Sequence, residues 1–327
     1  MGKDSENSFS CLPKDLDQTH PRPWLLVTHG ESYQNHSFYN ISKDKYIKRN
    51  IPEFRHKQVS ATSYGWLLLI DYTRKPLNCC LVNTRSKERI ELPYIDLESE
   101  SNSPGSWFYE CILSKSPTDP DCHVLLIASL GEFLLFCRIG DEKFIKRGFR
   151  FGDDALGTAT NFKGKIYAWM CVGHNLVEVD FVNEDILLKQ LVNDRGQLCQ
   201  TPEASPANLL GCVGYLVESC GELLLLHAIG CNLSGEVAYF RIFKIKTNER
   251  ECEELKSIGD HAIFICPFGN MSWSCTDNSG LKKNSIYYTQ FSGDVYVYDI
   301  EDRSRTLIKP CCTKSGIRPP LKSWIVL

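Results

Sequence analysis

Residues 155–192 read ALGTATNFKGKIYAWMCVGHNLVEVDFVNEDILLKQLV, and the period of their apolar positions decides the fold. In NLVEVDF, Val177, Val179 and Phe181 face one side while Glu178 and Asp180 face the other. That alternation is the period of a half-buried strand, because successive side chains of a strand point to opposite faces. Before it stands KIYAWM, apolar nearly throughout, as suits a strand covered on both faces. The Gly164 turn separates it from an earlier strand, and a polar turn leads to a last one, DILLKQLV. The stretch therefore predicts four consecutive strands joined by short turns.

The same plan recurs along the chain. VSATSYGWLLLIDYTRKPLNCCLVNTRSKERIELP (59–93) holds about four strands. GCVGYLVESCGELLLLHAIG (211–230) followed by VAYFRIFKIKTNERECEELKSI (237–258) is a copy with a longer internal loop. NSIYYTQFSGDVYVYDIEDRSRTLIKP (284–310) closes another, and CHVLLIASLGEFLLFCRIGDEKFIKRGF (122–149) gives one more. WLLVTHGESYQNHSFYNISKDKYIKRNIP (24–52) is short by one strand, which the C-terminal SWIVL (323–327) can supply. Units of roughly 40–50 residues with four antiparallel strands each predict a β-propeller. A single sheet cannot bury its face alone, so the blades pack radially and share a core. The expected fold is all-β: one propeller of about six four-stranded blades over 23–327, closed by N- and C-terminal strands, with seven blades the alternative count. Residues 1–22 are expected to be irregular. Two consecutive β-sandwiches are the competing architecture, but the copies run on without a linker. The polar stretches 96–106 and 200–209 read as loops between blades.

Composition narrows the partners. At 327 residues, with 43% hydrophobic and 24% charged residues, the chain is ordinary for a globular protein. A net charge of −3 gives no electrostatic reason to expect nucleic acid or an anionic membrane as partner. No window approaches the ~20 apolar residues that span a bilayer. No N-terminal apolar core marks a secretory signal, so the cytoplasm or nucleus is the expected location. Sixteen cysteines are present without any C-x-x-C spacing. Cys137, Cys171 and Cys266 lie in apolar runs, where a free thiol behaves as a small hydrophobe. Reduced, buried thiols are therefore expected.

The order of several motifs along the chain resembles the plant F-box-associated β-propeller family catalogued as domain of unknown function 295. These are PWLL (23–26), GWLLL (65–69), NTRSKERIELP (83–93) and YLVESCGELLLL (215–226). FRIFKI running into ELKSIGDHAIFI (254–265), NSIYYT (284–289) and VYDIED (297–302) complete the set. The family includes F-box/kelch-like proteins of hormone signalling, brassinosteroid signalling among them. The resemblance implies a propeller that captures a protein target, in relatives that join a cullin-based ubiquitin ligase through an N-terminal F-box. Here 22 residues precede PWLL, whereas an F-box needs about 40–50, and DQTHPRP follows LPKDL where helix would continue. Proline stops a helix there, so binding of a Skp1-type adaptor is not expected.

No stretch assembles a catalytic motif. In SIGDHAIFICPFGNMSWSC (257–275), Asp260 and His261 stand side by side. Neighbours on a strand face opposite ways, so the pair reads as a turn entering an inner strand. Gly259 would supply the turn's backbone, Asp260 would bond its amides, and Ile263 and Ile265 would enter the core. The eight histidines show no H-x-H or H-x-x-x-H, and neither G-x-S-x-G nor a P-loop occurs. TRSKER (84–89) and EDRSR (301–305) read as solvated hairpin turns. Trp66, Trp107, Trp169, Trp273 and Trp324 read mostly as blade core. The expectation is a non-catalytic protein-interaction domain with no catalytic residue, cofactor or metal. The alternative is a hydrolase or lyase with a site in the propeller channel, which requires ionisable side chains converging there.

Overall fold

The computed structural model describes residues 22–326, apart from 32, 74, 97–107, 129–132, 149–155, 171–173, 183–184, 200, 202–212, 231–235, 267–268, 276–278, 290–293 and 310–319. The expectations for 1–22 and for the loops at 96–106 and 200–209 fall almost wholly outside the described residues. Blade 1 holds β1 (Pro23–His29), β2 (Asn35–Asn40) and β3 (Lys45–Arg49). Blade 2 holds β4 (Lys57–Ala61), β5 (Trp66–Asp71), β6 (Asn78–Asn83) and β7 (Arg89–Glu91). Blade 3 holds β8 (Phe108–Leu113), β9 (His123–Ala128), β10 (Phe133–Arg138) and β11 (Ile145–Gly148). Blade 4, which contains KIYAWM and NLVEVDF, holds β12 (Leu156–Phe162), β13 (Lys165–Met170), β14 (Leu176–Val182) and β15 (Asp185–Gln190). Blade 5 holds β16 (Val213–Ser219), β17 (Glu222–Ile229), β18 (Tyr239–Lys246) and β19 (Glu251–Leu255). Blade 6 holds β20 (His261–Cys266), β21 (Gly269–Ser274), β22 (Ser285–Thr289), β23 (Val295–Asp299) and β24 (Ser304–Lys309). The last strand, β25 (Leu321–Val326), returns to blade 1.

Six sheets thus form a ring, and β25, β4, β8, β12, β16 and β21 are the strands that meet around its axis. The expected closure is present. β25 pairs antiparallel with β1, from Pro23 opposite Val326 to Thr28 opposite Leu321. The first and last segments therefore complete one sheet, so the ring cannot open without breaking a ladder. Trp324 is fully buried, stands edge-on to Phe264 at 4.9 Å, and donates its indole N–H to the Ile265 carbonyl at 3.1 Å. That contact carries the closing strand onto the neighbouring blade.

Burial follows the alternation read from the sequence. β17 is buried from Leu223 to Ile229, whereas the outer strand β24 is exposed along most of its length. In β14, Glu178 and Asp180 stay part-exposed and pair with Lys165 and Lys189. Val177 and Val179 join Leu125, Ile127 and Phe136 of blade 3 in one apolar cluster. Burial of that kind, roughly 25 cal/mol per Å² of apolar surface, is what one blade gains only from the next. Trp66, Trp169 and Trp324 are buried and Trp273 is half-buried; Trp107 lies outside the described residues. Cys137 and Cys266 are buried free thiols, and Cys171 is outside the described residues.

Blade 6 departs from the repeat. Its order is β21-β20-β22-β23-β24, five strands, with β20 and β22 parallel. The hairpin β20–β21 supplies the strand at the axis, and the chain must then cross back before β22 can pair. Parallel neighbours always need such a crossover. Gly259 takes a left-handed φ of +64° at the entry turn, and Ile263 and Ile265 are buried, as the sequence suggested. Asp260 differs from expectation. Its carboxylate pairs with Lys283 at 3.2 Å, and its carbonyl accepts from the Cys275 amide at 2.8 Å.

Candidate functional site at the channel mouth

The inner strands leave a cavity of about 540 Å³ on the axis. Tyr64, Glu110, Lys163, Glu218, Asn270 and Ser272 are among the residues lining it. Three hairpins bring the chain back at its rim. The turns Lys163–Gly164 and Cys220–Gly221 are two-residue connections with positive φ at both positions, 52° and 79° in the first and 52° and 72° in the second. Hairpins favour this geometry because its twist matches that of the flanking strands, and glycine at the second position removes the steric cost. Tyr64–Gly65 repeats the pair of positive angles, 63° and 74°, within a slightly longer connection. In each turn the residue before the glycine is exposed, so blades 2, 4 and 5 present a tyrosine, a lysine and a cysteine at corresponding positions. Tyr64 is 49% exposed. Lys163 packs its ammonium over the Phe162 ring at 4.8 Å.

Below the rim, one carboxylate holds three blades together. Glu110 on β8 accepts from the Thr158 hydroxyl at 2.8 Å and the Ala159 amide at 2.8 Å on β12, and from the Asn270 amide group at 3.1 Å on β21. Thr158 in turn accepts from the Leu216 amide of β16 at 3.4 Å. Ser219 and Ser272 join β16 to β21 through their hydroxyls at 2.7 Å, and the Ala61 amide donates to the Ser323 hydroxyl at 3.2 Å. Part of the Glu110 side chain is still within reach of water, yet its carboxylate lies deep among the inner strands. The depth governs its titration. Burial pushes the carboxyl up to about 7, against the pull of its three hydrogen bonds, which favour the ionised form. Asn270 Nδ2 points at the carboxylate, so its Oδ1 must face away, and that oxygen is buried without a partner.

Asp260 and His261 have different partners, Asp260 pairing with Lys283. His261 Nε2 instead lies 2.8 Å from Cys220 Sγ, across the boundary between blades 5 and 6 and beside the mouth. The pairing joins residues 41 positions apart, so no local pattern announces it. Glu110 did leave a signal, a single charge inside the apolar run FYECIL (108–113). Sequence reasoning passed over it. Among the described residues no group of three or more His, Cys, Asp or Glu is placed to hold a metal ion. No helix among them is long and apolar enough to cross a membrane.

Comparison with known proteins adds the family. The profile of the KIB1-4 β-propeller matches residues 38–299, from within β2 to the end of β23. The chain belongs to the KIB1-4 β-propeller family. No curated protein sequence matches this KIB1-4 propeller. Among solved structures it is similar to TolB from Acinetobacter baumannii, at 12% identity and a TM-score of 0.45 over 92% of this chain. It spans 66% of the length of that TolB chain. A protein from Lactobacillus plantarum matches at 11% identity and a TM-score of 0.47, covering 94% of this chain and all of the other. Virginiamycin B lyase from Staphylococcus aureus matches at 12% identity and a TM-score of 0.41, covering 90% and 89%. The blade count rests on the strand order of the six sheets, and no chemistry is transferred at this level of likeness.

Proposed function

We propose that this KIB1-4 propeller is a non-catalytic protein-interaction domain that holds its partner at the channel mouth. The observation that carries the reading is the set of three corresponding hairpin turns, which reach one cavity through Tyr64, Lys163 and Gly221, expose the residue before each glycine, and have their backbone fixed by the glycines. Such positions can change side chain without changing the fold. Tyr64 fits the role of an anchor, because tyrosine offers much contact area for little entropy lost. The finer reading, target recognition linked to a ubiquitin ligase, is supported by the F-box-associated resemblance.

The test is capture from plant extract with the wild type and a Tyr64→Asn/Lys163→Asn variant. Asparagine tolerates the left-handed turn, so the backbone is kept while ring and charge are removed. The variant is expected to lose at least tenfold of the captured partner at unchanged melting temperature. Full retention would place binding elsewhere. Ligase components among the captured proteins would support the finer reading, and their reproducible absence would count against it.

A second reading, an enzyme acting in the channel, is favoured by Glu110, whose carboxyl is held near 7 inside the cavity. Glu110→Gln separates the two in the same preparation. Hydrolase or lyase turnover that disappears in this variant would favour the enzyme, and partner capture that survives it favours the interaction domain.

A further inference from the structure

The structure assigns to Cys199 and Cys252 a disulfide-forming site that joins blades 4 and 5, closed by exchange with a small-molecule disulfide. The two sulfurs lie 3.4 Å apart, although the residues are 53 positions apart in the chain. Cys199 sits just beyond β15, where its amide donates to the Leu191 carbonyl at 2.7 Å and its carbonyl accepts from the Leu176 amide at 3.1 Å. These bonds fix its backbone to blade 4. Its side chain enters an apolar cluster with Leu223, Leu225, Phe243 and Ile245 of blade 5. Cys252 belongs to β19, the outermost strand of that blade, in register with Ile245. Arg250, in the turn before it, already reaches across to the Val192 carbonyl at 2.6 Å. A disulfide bond measures about 2.05 Å, so closing this pair needs an approach of about 1.4 Å between side chains whose backbones are already held together.

The environment divides the work between the two thiols. Cys199 is buried and Cys252 is half-exposed, so only Cys252 meets a reagent from solvent. The hydrogen bond between the two sulfurs lowers Cys199 below the ordinary thiol range. The same hydrogen bond, with burial, holds the Cys252 proton more tightly. Once the outer sulfur carries a glutathione, the buried one stands beside it, placed to resolve the mixed disulfide.

With glutathione disulfide the step balances. Cys252 loses its proton to solvent and attacks one glutathione sulfur; that S–S bond breaks and one glutathione leaves. Cys199 then gives up its proton and attacks the Cys252 sulfur; the mixed disulfide breaks, and the second glutathione leaves as a thiolate that, like the first, takes a proton from solvent. Two protein thiols are oxidised and one glutathione disulfide is reduced to two thiols, with no other oxidant. The product ties an outer edge strand to the neighbouring blade and closes a long loop, which constrains the unfolded chain.

The folded full-length protein is incubated with mixtures of reduced and oxidised glutathione, quenched with N-ethylmaleimide, and digested without reduction for mass spectrometry. The expected result is one peptide pair linked through Cys199 and Cys252, with a melting temperature several degrees higher that returns on adding dithiothreitol. In Cys199→Ser, Cys252 is expected to stop as the glutathione adduct; in Cys252→Ser, Cys199 is expected to remain reduced. Three results would each overturn the proposal: both cysteines recovered as maleimide adducts throughout, Cys252 halting as the adduct in the wild type, or either sulfur linked to a different cysteine. The wild-type and Cys252→Ser results decide the matter even if Cys199→Ser does not fold.

Discussion

His227 is buried between the rings of Trp169 at 5.4 Å and Phe243 at 5.3 Å, and neither of its ring nitrogens has a hydrogen-bond partner. Desolvation, helped by His174 and Arg241 nearby, lowers its pKa from 6.5 to about 4. The folded state therefore keeps this imidazole neutral while the unfolded chain protonates it below about 6.5. Its contribution to stability is complete above the unfolded value and is lost as pH falls towards 4. At 1.36 kcal/mol per unit the loss is roughly 3 kcal/mol. In His227→Leu the drop in stability between pH 7 and pH 4.5 is expected to be smaller by roughly 2 kcal/mol, read from urea midpoints at the two pH values. Equal drops in both proteins would show that the site is not desolvated. His227 is embedded in the apolar run ELLLLHAI, so its burial was legible. The rings that surround it come from two blades and were not.

At the scale of elements, the hairpin turns were the clearest local signal, because glycine after a polar or aromatic residue between apolar runs is what a tight turn demands. Gly164 has φ of +79° and open space where a side chain would go. The cost of Gly164→Ala is therefore one of backbone conformation alone, about 1–2 kcal/mol. Gly164→Asn is expected to lose less, since asparagine visits that region more readily. Chemical denaturation of both variants checks the order, and equal losses would contradict the turn geometry. Blade 6 was harder to read. IGDHAIFI announces a buried strand, but nothing in its period distinguishes a strand that pairs only with its immediate successor from one that also waits for β22. Parallel partners are separated by a crossover, and alternation carries no information across it.

For the whole molecule, ring closure concentrates on β25. Trp324→Ala is expected to cost about 3–5 kcal/mol, the range for emptying a buried aromatic site. Trp324→Phe removes chiefly the bond to Ile265 and is expected to cost about 1 kcal/mol. Removing 321–327 takes the axial strand from blade 1 and is expected to abolish a single cooperative thermal transition, which calorimetry would register. A truncated protein that melted as the wild type would show that closure does not hold the ring. The polar hub belongs to the same scale. Glu110, Thr158 and Asn270 come from three blades and meet only because those blades share an axis.

Outside blade 6, strand identity, turn positions, the four-stranded repeat, and the missing strand supplied by SWIVL were determined by the sequence, because periods of two and glycine punctuation are local properties of the chain. Only the tertiary structure decided which side chains meet: Glu110 with residues 48 and 160 positions away, Cys220 with His261, Cys199 with Cys252. The reason is geometric. Alternation states which face of a sheet a residue occupies, whereas the rotation of one blade against the next, set by packing around a closed ring, states what that face touches.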